Sequence, residues 1–286
     1  MALIAVSAKT GPIRIALLHD DLLLEFYIWD RTAAACVGDL YTGRVEAVEK
    51  ALAGCFIALE NELSGFLPDS AGGRHLTQGQ YISVRITRAG QKGKGPRLER
   101  DNAPPKDKIG LQARGAGPLR ALAEQYPDAD IVLDDYALIA DLRPFLASRM
   151  RYDALAFDPI LEDEIAALAE PTAVLPHRAL LHITEAPAAT LLDIDAASAS
   201  HIQPLILNKD ILPEICRQIR LRNLSGGILL DFAGLKPTQR QKLLAPLSEA
   251  LKQDPLAPTV LGLSHLGFAE INRRRIYPPL SEVFCQ

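Results

Sequence analysis

Apolar positions in the first thirty residues fall into three short runs, "LIAVSA", "IRIALLHDD" and "LLLEFYIWD", separated by polar turns at Thr10-Gly11 and His19-Asp20-Asp21. Runs of this length bounded by turn residues predict strands. From about 36 to 100 the runs stay short, Gly-bearing turns divide them, and Tyr81-Ile82-Ser83-Val84-Arg85-Ile86 alternates, which predicts a small barrel. "AGQKGKGPRLERDNAPPKDK" then reads as loop or linker. Between about 118 and 185 the texture changes again. "DADIVLDD" and "RALLHIT" predict strands, and "YALIADLRPFLASRM" and "DPILEDEIAALAE" predict helices.

Past 189 the pattern is strand "ATLLDID", helix, strand "GGILLDF", helix, strand "PTVLGLS". Ile211, Ile215 and Ile219 stand at i, i+4 and i+8 and give the first helix one apolar stripe. Pro213 sits in its first turn or costs it one backbone bond, and Gly226-Gly227 end it. A strand–helix–strand unit of this length is a crossover, so its two strands are expected parallel and adjacent. Each ends in acid. Asp193 and Asp195 share one face of the first, and Asp231 closes the second. Burying a carboxylate there is costly unless something pairs with it. Two carboxylates converging at the C-terminal edge of such strands can hold a hard divalent ion such as Mg²⁺ or Mn²⁺. Equally, aspartates in these places can cap the turns that follow. A second acidic pair, Asp134-Asp135, faces opposite ways along its strand and is better read as capping.

At 286 residues and 48% hydrophobic, the chain can bury a core and carry more than one domain. No apolar run approaches the roughly 20 residues of a membrane span, and the N-terminus lacks a basic signal region, so a cytoplasmic protein is expected. Cys36, Cys55, Cys216 and Cys285 show no CxxC spacing and the six histidines show no ligand spacing, which argues against zinc and against a histidine metal site. The net charge of −4 is uneven. Residues 85–120 hold ten Lys/Arg, Lys94 among them, against three Asp/Glu. Further basic groups are Arg217, Arg220, Arg222 and Arg273-Arg274-Arg275. Stripes of this kind bind phosphates on an acidic protein, or are solvated surface and helix salt bridges such as Glu214 with Arg217.

The stretches "LDIDAASAS", "LNKDILPEICRQIRLRNLSGGILLDF" and "SHLGFAEINRRRIYPPL" resemble the catalytic core of the ribonuclease E/G family. "GDLYTGRVEAVEKALAGCFIALENELSGFLP" resembles that family's inserted RNA-binding barrel, and "GLQARGAG" its sensor of an RNA 5′-monophosphate. The resemblance implies an α/β (α+β) fold: an RNase H-like and a DNase I-like catalytic core with an inserted OB-fold. The expected parts are an RNase H-like subdomain at 1–35 and 118–188, the barrel at 36–105, an abbreviated sensor at 106–117 and a DNase I-like catalytic subdomain at 189–286.

It further implies a Mg²⁺-dependent endoribonuclease of single-stranded RNA, leaving 5′-phosphate and 3′-hydroxyl ends. The family's metal-binding aspartates fall on Asp193 and Asp231, with Asp195 beside them as a third metal-site residue. Phe56 and Phe66 fall on the barrel's RNA-contacting aromatics, with burial in the barrel core the other reading for both rings, and Arg114 falls on the sensor arginine. Lys94, Arg217, Arg220, Arg222, Arg273 and Arg275 complete the expected RNA contacts. The family's zinc link has no counterpart here beyond Cys285, so no zinc and a monomer or a zinc-independent dimer are expected. Gly115 and Gly234 replace residues usual in the family. The trimmed sensor motivates an alternative, an RNA-binding protein or ribosome-assembly factor with reduced turnover.

Overall fold

In the computed structural model the described residues are 1–286 apart from Thr10, Asn61, Lys92, Ala147, Ser148, Cys285 and Gln286. Cys285, on which the zinc expectation turned, thus lies outside the described residues. The chain separates into two compact units, one of 1–17, 27–156 and 276–278, the other of 18–26, 157–275 and 279–286.

The first unit begins with β1 (Ala2–Ser7), β2 (Ile13–His19) and β3 (Leu22–Trp29), where the sequence pattern puts them. The tip of the β2–β3 hairpin groups with the second unit. The barrel follows: β4 (Leu40–Glu49), β5 (Gly54–Glu60), β6 (Leu63–Pro68), β7 (Tyr81–Arg88), β8 (Arg97–Arg100) and β9 (Gly110–Ala113). Strand order is β5-β6-β8-β7-β4-β9, and β5 also pairs with β4, which closes five strands into an OB-like barrel. Alternation explains its core. Tyr41, Val45, Cys55, Ile57, Leu67, Val84, Ile86 and Leu98 point inward and are buried.

The segment 106–117, expected to stand apart, instead supplies β9, whose residues pair with Leu40–Thr42 of β4. After it come α1 (Gly117–Gln125), β10 (Asp130–Leu133), α2 (Tyr136–Leu146) and β11 (Met150–Tyr152). Met150, assigned from sequence to the end of a helix, opens a strand pairing with Ile131. β10 lies parallel to β1 and to β11, in a sheet ordered β11-β10-β1-β2-β3. Asp135 caps α2 through Leu138 N–H at 2.6 Å, and Asp134 accepts from Ser7 Oγ at 2.7 Å.

The second unit runs α3 (Pro159–Ala167), β12 (Thr172–Val174), β13 (Leu180–Glu185), β14 (Ala189–Asp195), α4 (Pro204–Leu221), β15 (Gly226–Asp231), α5 (Pro237–Arg240), α6 (Leu244–Leu251), β16 (Thr259–Leu263), β17 (Ala269–Arg273) and α7 (Leu280–Phe284). One sheet takes the order β12-β13-β14-β15-β17-β16. β12 and β13 therefore share a sheet with the two acidic strands, although the sequence boundary at 188/189 assigned them elsewhere. A hydrophobic pattern marks a strand but not its sheet. Pro213 lies inside α4, so the helix gives up a backbone bond there. Ile211, Ile215 and Ile219 are fully buried with Ile228, Leu230, Leu192 and Phe232 in one core. Among the described residues no helix is long and apolar enough to cross a membrane.

Candidate active site and RNA-facing surfaces

The crossover expected from the sequence is present. β14 and β15 are parallel neighbours, and Asp193 is the register partner of Asp231. Leu192, Ile194, Leu230 and Phe232 anchor the opposite face in the core, so the pleat turns both carboxylates to the open face. Neighbouring strands lie about 4.8 Å apart, which brings the two side chains within reach of one ion. The Asp193 side chain is exposed. Asp231 is half-buried and accepts Nη1 of Arg240 at 2.5 Å. The desolvation cost of Asp231 is thus offset within the protein by a guanidinium, a partner that the sequence pattern did not reveal.

Asp195 behaves differently. Its Oδ1 accepts Ala197 N–H at 2.8 Å and caps the turn after β14. Among the described residues no three His, Cys, Asp or Glu side chains are grouped to hold a metal, and Asp193 and Asp231 are the two carboxylates that the strand pairing brings together. Asp193 offers both oxygens and Asp231 one. Mg²⁺ commonly takes one or two carboxylates and keeps its remaining waters, so this hard-oxygen donor set fits such an ion.

His182, on β13, is the register partner of Asp193, and Thr172 of His182. Thr172, His182, Asp193 and Asp231 form one row across four strands. The His182 ring is steadied by 3.1 Å between Nδ1 and Thr172 Oγ1. Neither His182 nor Arg240 was singled out from sequence. The signal for each is register and loop closure, which spacing does not encode.

The basic side chains of this unit meet acceptors within the fold. Arg217 donates to Glu214 and Glu164 at 2.8 Å and to Leu23 O. Arg220 donates to Leu24 O and Gln253 O. Arg222, 6% exposed, donates to the Leu168, Glu170 and Ala167 carbonyls behind α3. Arg273, 3% exposed, forks onto Asp254 and also reaches Asn223 Oδ1 at 2.7 Å. These four guanidiniums bind the fold together, because the helix and strand ends around them leave carbonyls that need donors. Arg275 is half-buried over Gly226. Gly226 has φ +83°, a backbone conformation that favours glycine, and the Arg275 guanidinium lies close over it.

On the barrel, Phe56 and Phe66 are register partners on the outer face, with ring centroids 5.4 Å apart at 63°. Phe56 is 36% exposed and Phe66 half-buried, and neither belongs to the barrel core. Arg97 is the register partner of both Phe66 and Arg88, so two cations continue the aromatic row. Lys94 is exposed in the turn before β8. Arg114 is placed otherwise than expected of a phosphate sensor. Its Nη1 donates to Asp39 Oδ2 at 2.8 Å and to Ala33 O, and Gly115 N–H completes the cage around the buried Asp39.

A family model described as the Ribonuclease E/G family matches residues 140–276, which include all six strands of the second unit's sheet. Ribonuclease G of Escherichia coli K12 is 34% identical over 131 residues, 44% of this chain and 27% of that protein. Ribonuclease E of the same organism is 31% identical over 43% of this chain and 12% of its own length. Ribonuclease E of a Synechocystis strain is 31% identical over 41% of this chain and 18% of its length. The chain therefore spans only a minor part of the relatives it matches. A solution structure of GSP13 from Bacillus subtilis aligns at 25% identity and TM-score 0.20, over 31% of this chain and 70% of that one. The segment 140–276, which carries Asp193 and Asp231 in register on parallel strands, thus matches the ribonuclease E/G family.

Proposed function

We propose that this chain is a divalent-metal-dependent endoribonuclease of single-stranded RNA, with Asp193 and Asp231 holding the ion. The observation that carries the reading is their pairing on β14 and β15 with carboxylates on the open face. A Mg²⁺ or Mn²⁺ bound there supplies a water of lowered pKa and positive charge at the scissile phosphate. The protein's part is to hold the strand. Phe56 and Phe66 stack bases, and Arg97 and Lys94 contact the backbone phosphates beside them. In-line attack leaves a 5′-phosphate and a 3′-hydroxyl. The chain is then a cytoplasmic RNA-processing or decay enzyme, working as a monomer or a dimer that chelator leaves intact.

The test is incubation of an AU-rich single-stranded oligoribonucleotide with Mg²⁺ and the full chain, alongside Asp193→Asn and Asp231→Asn. Metal-dependent fragments with 5′-phosphates from the unaltered protein, absent from both variants, are expected. Equal cleavage by all three would overturn the assignment. A second reading, an RNA-binding or ribosome-assembly factor with little turnover, draws on the Asp231–Arg240 pair and on Arg114 being tied to Asp39. It expects salt-dependent RNA binding without fragments.

A further inference from the structure

We propose that Arg240 is the positioning residue for Asp231 and sets how strongly the carboxylate pair takes a divalent cation. The catalytic half of this inference rests on the endoribonuclease reading; the binding half does not. Arg240 ends α5, a one-turn helix closed by its own capping box, in which Lys236 N–H donates to Gln239 Oε1 at 3.2 Å. From there its guanidinium meets four acceptors. Nη1 donates to Asp231 Oδ1 at 2.5 Å and to Gly267 O at 2.9 Å, Nη2 to Phe232 O at 3.3 Å, and Nε to Leu235 O at 3.0 Å. Three of the four are main-chain carbonyls, from the exit of β15, the loop before α5 and the turn between β16 and β17. They hold the charge in place whatever Asp231 does, and the side chain is only 16% exposed.

Two consequences follow. First, one oxygen of Asp231 is fixed, so its carboxylate plane is set and the other oxygen is left for a ligand. Second, the two carboxylates carry −2 between them but present −1 with Arg240 attached. An incoming divalent cation meets half the charge that the sequence alone implies. A fixed unit positive charge about 6 Å from a divalent ion in a water-exposed setting weakens its binding by roughly tenfold. Arg240 therefore trades cation affinity for orientation.

The experiment is calorimetric titration of Mn²⁺ into the full chain, its Arg240→Gln variant and its Arg240→Lys variant, with cleavage rates measured at saturating metal. Arg240→Gln is expected to bind Mn²⁺ about tenfold more tightly while its kcat falls, the KM for RNA holding. Arg240→Lys keeps the charge and loses the fork, so its Mn²⁺ affinity stays within threefold of the parent while kcat falls. A merely structural role would weaken binding in both variants. Equal or weaker Mn²⁺ binding by Arg240→Gln overturns the proposal, as does absence of measurable binding in every protein. Should Arg240→Gln fail to fold, Arg240→Lys decides alone: unchanged affinity with lowered kcat supports it, weakened affinity overturns it. If Arg240→Gln tightens Mn²⁺ binding while the parent cleaves no RNA, the endoribonuclease reading has failed and the role of Arg240 stands.

Discussion

Removing the carboxylate of Asp254 isolates a buried cation and gives a direct measure of whether Arg273 serves the fold or RNA. Both side chains are 3% exposed, and Arg273 Nε lies 2.6 Å from Asp254 Oδ2. Asp254 also caps the next turn through Leu256 N–H at 2.9 Å. Breaking a buried pair by deleting one partner costs about 3–5 kcal/mol, a large share of a domain stability of about 5–15 kcal/mol. Asp254→Ala should thus lower the folded-to-unfolded ratio of the second unit by roughly a thousandfold, at about 1.4 kcal/mol per tenfold. With a urea m-value of about 2 kcal/mol/M, the midpoint falls by about 2 M. The single tryptophan, Trp29, lies in the first unit, so far-UV circular dichroism is the suitable probe. The double variant Asp254→Leu/Arg273→Met removes both charges and leaves the carbonyl of Leu224 with one donor fewer, a loss of about 1–3 kcal/mol. It should recover part of the lost stability, since paired replacement of a buried ion pair is often neutral or better. A midpoint unmoved by Asp254→Ala, with RNA affinity reduced by Arg273→Met and a salt slope shallower by about 0.7, would refute the reasoning and return Arg273 to the RNA surface.

Alanine at Phe56 or Phe66 should weaken single-stranded RNA binding by about 1–3 kcal/mol each, read by fluorescence anisotropy, with the urea midpoint nearly unchanged because both rings lie outside the barrel core. Arg222→Ala strips donors from three carbonyls and should cost at least about 2 kcal/mol of stability while leaving the salt dependence of RNA binding intact. Arg114→Ala should not alter the ratio of affinities for 5′-phosphorylated and 5′-hydroxyl RNA, since that guanidinium serves Asp39; a collapsed ratio would show that it senses the end. Burial pushes the Cys216 thiol up to about 12 from 9.0. The folded state then keeps a proton that the unfolded chain releases, so stability declines as pH rises from about 9 towards 12. Cys216→Ala should flatten the urea midpoint against pH over that window, and an identical slope in the two proteins would contradict the assignment.

The strands and helices were legible because each carries its own periodicity. β14 and β15 match "ATLLDID" and "GGILLDF" almost residue for residue, and the length of the intervening helix dictated that they be parallel neighbours. That is why Asp193 and Asp231 could be paired before any coordinates. The outer placement of Phe56 and Phe66 was not settled in this way, since the sequence left both open to burial in the barrel core and the β5–β6 pairing put them outside it. Tertiary structure decided what long-range closure controls. Arg240 reaches Asp231 only because α5 folds back, Asp195 turns to its own loop, and His182 joins the row through an antiparallel register. It also decided the fate of the arginines. A guanidinium in sequence is a charge awaiting an acceptor, and whether that acceptor is a phosphate or a carbonyl at a buried helix end depends on which ends the fold brings to it.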